Sequence, residues 1–386
     1  MRSVPILKKR NMRLSADFLF LLVFLAGCAG ATAAPVLPTG TATLLPSETF
    51  TPAPTDTPSA TETPSPTATA LRTPPVLPGT FQTELLNPLD PPHTYIQDTC
   101  QYLHDKWSSA NSAPGTVLMP IMFHSVGGET GGDRISEPEF HALMQALHDE
   151  GFQAVTTAQA ASFLESNAKI PPLSVMLIVD DRRTLYYYDT LFRPYWDEYG
   201  WPLVNAWISL DDSISAENLP DHIILEAEGW VDHQAHGFQH FAIDPDSPDD
   251  FIYQELQKPI DVFQENFSKR PIAIIWPGGG FTPKAAALAR QLGYQLGFTI
   301  NPRGPLMFNW VSLSDAKDPS RPSWIPEGPV NDPLMVLPRY WDTDAINHLA
   351  EVIQISQVAA AYAGQNKATE LEYYDIICTA TLGPIP

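Results

Sequence analysis

Apolar runs and amphipathic stretches alternate along most of this 386-residue chain. "TVLMPIMFH" (Thr116 to His124) reads as a buried strand and "SEPEFHALMQALHDEG" as a helix. In the helix, Ser136 and Glu139 stand in capping-box positions, Phe140, Leu143, Met144 and Leu147 share one face, and Gly151 stops the run. "FQAVTT" predicts a short strand, "AQAASFLESNA" a short helix, and "SVMLIVDD" a strand apolar on both faces. "LVNAWISL", "PIAIIWP", "YQLGFTI" and "MVLPRYW" read as further strands. "TPKAAALARQLG" reads as a helix capped by Thr282 with Pro283 in its first turn, and "DTDAINHLAEVIQISQVAAAYAG" as a closing helix. Strands separated by helical stretches mean parallel strands with crossover helices. The predicted architecture is an α/β fold, a distorted (β/α) barrel of about seven parallel strands rather than an open sheet. "GGETGG" at Gly127 lacks the spacing of a phosphate-binding loop.

Composition changes the picture at the front of the chain. Lys8, Lys9, Arg10 and Arg13 precede "FLFLLVFLAG", an apolar core shorter than the roughly 20 residues a membrane-spanning helix needs. Leu25-Ala26-Gly27-Cys28 resembles a lipobox. Residues 1–28 are therefore expected to be a lipoprotein-type signal segment, with Cys28 lipidated and the protein held to a membrane at the cell surface or envelope. An uncleaved anchor is the alternative, and either one exports the body. Residues 29–92, dominated by Thr, Pro, Ala and Ser, carry no periodic apolar face and read as a disordered tether. Residues 93–386 remain as one domain, expected to be monomeric. A net charge of −22 and a pI near 4.6 argue against a nucleic-acid partner. With Cys28 lipidated, Cys100 and Cys378 are left, the arithmetic of one disulfide in an oxidising compartment.

Candidate chemistry begins where "SVMLIVDDRR" ends a buried strand in two carboxylates and two guanidiniums. The C-terminal edge of parallel strands is where α/β folds place their ligands. A solvated turn would carry such a pair as well, and Asp211-Asp212 after "NAWISL" reads as that plainer case. In "WVDHQAHGFQH", His236 and His240 are four apart, so a helical turn would put both imidazoles on one face; His233 offers a second, weaker pairing. Gly237 stands where a zinc-protease signature requires Glu. Histidine pairs on exposed helices are common without a metal. Two imidazoles and one carboxylate nevertheless make a facial ligand set with positions open for water and substrate. The adjacent carboxylate is then free to take a proton, which gives two neighbouring aspartates separate jobs.

Taken in order, these stretches resemble the polysaccharide deacetylase family, the NodB-homology domains of carbohydrate esterase family four, from His124 to Arg339. "PIMFHSV" is similar to the family's opening strand, "PPLSVMLIVDD" to its Thr-Phe-Asp-Asp-Gly motif and "AHGFQH" to its His-Ser/Thr-x-x-His motif. "RPIAIIWPGGG" is similar to its Tyr-Pro-Tyr-Gly segment and "MVLPRYW" to its Leu-Pro-Arg close. The resemblance implies metal-dependent hydrolysis of the acetamide of an N-acetylated cell-envelope or extracellular glycan. One divalent ion is implied, zinc first, with cobalt, nickel or manganese as alternatives. Position by position it implies Asp180 as general base, and Asp181, His236 and His240 as metal ligands. Gly278 would be an oxyanion donor through its N–H, and Arg339 the orienting partner of a carboxylate.

Departures accompany the likeness. Arg182 replaces the Gly after Asp-Asp, Gly237 replaces the Ser/Thr, and Trp276-Pro277-Gly278-Gly279 replaces Tyr-Pro-Tyr-Gly. The family's Leu-Leu-His-Asp segment, source of its general-acid His, is not visible, and His124 takes that role in our reading. Arg182 would either pair with Asp180 or bind a carboxylate on an acidic glycan. The departures keep open a catalytically inactive relative that binds glycan. An iron-dependent oxygenase fits the ligands but not the strand–helix alternation.

Overall fold

The computed structural model describes residues 72–386. The signal segment 1–28 with Cys28, and the linker as far as residue 71, lie outside the described residues. The rest of the expected linker is a correction, because residues 72–92 pack on the domain. Buried Asp90 pairs with Arg303 and Arg321, both at 2.7 Å. Trp310 donates to the Phe81 carbonyl and Tyr362 to that of Gly79. Composition hid this because Asp90 and Arg303 are 213 residues apart.

Six parallel strands form the frame: β1 (Val117–Phe123), β2 (Leu173–Asp180), β3 (Leu203–Trp207), β4 (Val231–Ala235), β5 (Ala273–Ile275) and β6 (Leu296–Phe298). They neighbour one another in chain order, as right-handed crossovers with short connections require. β4 meets β5 through one residue pair, Ala235 and Ile274. The result is a curled half-barrel. A short seventh strand, β7 (Tyr340–Trp341), runs parallel to β1, while Leu337 just before it exchanges backbone hydrogen bonds with Gly297 and Thr299 beside β6. The segment 337–341 thus spans the open side. After β6 the chain also adds antiparallel pieces, Leu306–Met307 and Trp310–Ser312, against the N-terminal end of β1.

Side-chain parity decides what reaches the inside of the curl. In β1 and β2 the odd positions (Val117, Met119, Ile121, Phe123; Val175, Leu177, Val179) pack under the helices Glu137–Asp149 and Ala345–Ile377. The even positions Leu118, Met176 and Ile178 join Val204, Ala206 and Ile274 inside. Continuing the parity, His124 and Asp180 face inward at the C-terminal rim. Two helices start at their expected caps, Ser136 and Thr282, which accept from the backbone N–H of Glu139 and Ala285; Thr156, read as part of a strand, caps a third by accepting from Gln159. Cys100 and Cys378 are bonded, with Cα atoms 5.3 Å apart, joining the helix Thr99–Trp107 to the end of the closing helix.

Candidate active site

Asp180 is the last residue of β2 and 1% exposed. Its carboxylate takes a bidentate bond from Arg339, at 2.7 and 3.0 Å, and His124 Nε2 lies 3.4 Å from Oδ2. Arg339 is itself fully buried and fixed by donating through Nε to the Thr299 carbonyl. Burial pushes the Asp180 carboxyl up, but Arg339, His236 and His124 outweigh it and hold the group well below the usual carboxylate range. Trp341 stacks on the His124 ring, centroids 5.4 Å apart, which sets the plane of the imidazole.

The chain turns sharply after Asp180. Asp181 has φ 73°, in the left-handed region, and the turn is pinned by Asn205, whose amide donates to the carbonyls of Val179 and Asp181. The turn directs Asp181 Oδ1 to within 3.9 Å of His236 Nε2 and 3.5 Å of His240 Nε2, while Oδ2 receives Arg183.

The two histidines are not on a helical turn, which corrects the expectation from their spacing. His236 follows β4 directly, and residues 236–240 form an irregular loop with positive φ at Gly237 (72°) and His240 (64°). Glu255, buried on the helix Asp249–Asn266, holds this loop by accepting from the N–H groups of Phe238 and Gln239. A Cβ at Gly237 would sit 2.5 Å from Glu255 Oε2 and 2.7 Å from Pro277 Cγ. Gly rather than Ser/Thr stands between these histidines because that space is filled.

The donor set fits a metal ion. One donor atom each from Asp181, His236 and His240 lies within 4.8 Å of the others, and the two Nε2 atoms are 3.1 Å apart. Donors at about 2.1 Å from a shared ion and near a right angle stand about 3 Å apart. His236 donates through Nδ1 to the Ile275 carbonyl, at 2.8 Å, which leaves Nε2 as a bare lone pair; burial lowers this histidine to about 4, so it is neutral.

The remaining sequence candidates fall into place. Arg182 does not meet Asp180: it donates to both oxygens of Asp212 (2.6 and 3.1 Å) and to Ser215, and Asp212 caps the helix Ser213–Glu228. Asp212 is structural. His233 is buried away from the cluster, bridged between His222 and Glu226. Gly278 has φ 55° in the turn after β5, and its N–H makes no hydrogen bond among the described residues. Sequence reasoning missed Glu255 and Asn205; neither lies in a motif, and only the folded chain brings them to the site.

Residues 173–297 match the family model for polysaccharide deacetylase. The Bacillus subtilis protein YxkH, a candidate polysaccharide deacetylase, is 24% identical over 182 residues, covering 47% of this chain and 64% of that protein. The chain therefore spans less than two thirds of that relative. Among solved structures, the Streptococcus pyogenes deacetylase PplD in complex with acetate has a TM-score of 0.48 at 18% identity, covering 62% of this chain and 99% of that one. IcaB from Ammonifex degensii gives 0.47 at 18%, covering 63% and 98%. The stretch that is similar to the polysaccharide deacetylase model holds Asp180, Asp181, His236, His240 and Gly278.

Proposed function

We propose that this protein is a metal-dependent amidohydrolase that removes acetyl groups from an N-acetylated glycan at the cell envelope, anchored through lipidated Cys28. The observation that carries the catalytic part is the cluster of Asp181, His236 and His240 beside an Asp180 that is ionised and locked by Arg339. A divalent ion held by the three donors, zinc first, would polarise the acetamide carbonyl and acidify the attacking water.

The chain's own groups do the rest. Arg339 fixes both oxygens of Asp180, so the carboxylate is ionised and aimed before substrate arrives. Asp180 accepts the proton of the attacking water. His124, 3.4 Å from that carboxylate, is placed to deliver a proton to the departing amine as the C–N bond breaks, giving acetate and a free amino sugar. The N–H of Gly278 supplies a donor for the oxyanion.

Acetate release from N-acetylglucosamine oligomers, with and without chelator, tests the proposal. Acetate that disappears on chelation and returns with added divalent ion supports it. Binding without acetate release, at any metal loading, would instead make the chain an inactive glycan-binding relative.

A further inference from the structure

We infer that a cleft beside the cluster receives an anionic substituent of the substrate, a carboxylate or phosphate on the sugar near the acetamide, held between Arg134 and Arg183. The inference rests on the reading of the chain as a glycan deacetylase. A cavity of about 370 Å³ is walled by Ser125 to Gly128, Arg134, Arg183 and Tyr187. Ser125 directly follows His124, so the cleft adjoins the residues of the proposed chemistry. No acidic side chain lines it, in a chain with 44 acidic and 22 basic residues. Two guanidiniums meet there against that general excess.

Arg134 is exposed and fixed through its backbone, Arg183 through its side chain and carbonyl, and each has donors to spare. Residues Arg134–Ile135 pair in parallel with Ser125–Val126, setting Arg134 opposite Ser125. The Arg134 side chain lies along Gly128, where an added Cβ would meet its Nη1 at 3.6 Å, and among the described residues it forms no ion pair. Gly127 and Gly128, with φ of 119° and 74°, keep that wall free of side chains. Arg183 gives Nη2 to Asp181 at 3.1 Å, while its Nε is buried without a partner among the described residues. Its carbonyl is anchored by His222 Nε2 at 2.7 Å, and His222 is backed in turn by His233 and Glu226. Nearby Glu129 and Asp133 are exposed and outside the cleft wall. Two guanidiniums with free donors, converging on a cleft without carboxylates, suit an oxyanion better than a neutral hydroxyl.

The test compares three N-acetylated oligomers of equal length: neutral, carboxylate-bearing and phosphate-bearing. Binding by calorimetry and acetate release are measured with the full chain and with Arg134→Gln and Arg134→Lys. The expected result is binding of one or both anionic oligomers about fivefold to tenfold tighter than the neutral one, what one partly exposed charge-assisted contact supplies. Arg134→Gln should remove that advantage through KM and leave the neutral oligomer unchanged, and Arg134→Lys should keep part of it. Which anion gains separates carboxylate from phosphate recognition. Equal binding of all three by the wild type, or equal weakening of all three by Arg134→Gln, overturns the subsite. Anion-dependent binding without acetate from any oligomer keeps the subsite and sinks the deacetylase reading alone.

Discussion

Asp180 and Asp181 are neighbours in sequence but sit in opposite surroundings. Asp180 belongs to the strand: buried, doubly bonded by Arg339, and inward by the parity of β2. Asp181 belongs to the loops: its backbone is left-handed, its side chain is 29% exposed, and the histidines opposite it come from an irregular segment. The difference separates two tasks. A proton acceptor must be held ionised and still, which a buried arginine does through the frame of the barrel. Ligands for a metal must converge from separate elements, which loops with unusual backbone angles allow, and those loops are propped by side chains from their neighbours, Asn205 on β3 and Glu255 on a helix.

If the strand side serves the proton, Asp180→Asn should slow deacetylation by about 10²- to 10⁴-fold, the usual loss for a general base. Steady-state kinetics would show this in kcat. A loss confined to KM would break the assignment.

The loop side should be sensitive to volume. Gly237→Ser restores the residue type that the resemblance expects, yet its Cβ would meet Glu255 and Pro277. Metal affinity should fall about 10- to 100-fold, as for lost supporting contacts around a ligand. Unchanged affinity in a metal titration would mean that the loop yields.

A smaller effect concerns the rim between them. Asp342 follows β7, is buried, and has no partner for either oxygen among the described residues. Burial, with Asp180 and Asp133 adding, pushes its carboxyl up to about 7. A carboxyl raised in the folded state holds its proton more tightly there. Its contribution to stability is therefore full below its ordinary value and is lost as pH rises through about 7. Asp342→Asn should raise Tm by about 5 °C at pH 8 and leave it unchanged at about pH 4. Equal shifts at both pH values would remove ionisation as the cause.

Much of this site could be read before folding, and for uneven reasons. Asp180 was legible because an apolar run ending in a carboxylate has a geometric meaning, and the caps at Ser136 and Thr282 because capping is local. The histidine loop was misread as helical because the i, i+4 spacing is shared by helices and by tight irregular turns; the short strand "VDHQA" before it alternates too weakly to announce itself. Arg182 and Arg183 could not be told apart by sequence, since which guanidinium turns inward depends on the left-handed turn at Asp181. The start of the domain was set too late because its buried anchor, Asp90, finds its partners only in the folded chain.

The most direct test of the separation between the two aspartates is metal content in purified wild type, Asp180→Asn and Asp181→Asn, with His236→Ala alongside. One divalent ion per chain is expected in wild type and in Asp180→Asn, and close to none in Asp181→Asn and His236→Ala. Metal retained by His236→Ala, or lost from Asp180→Asn while Asp181→Asn keeps it, would contradict the separation.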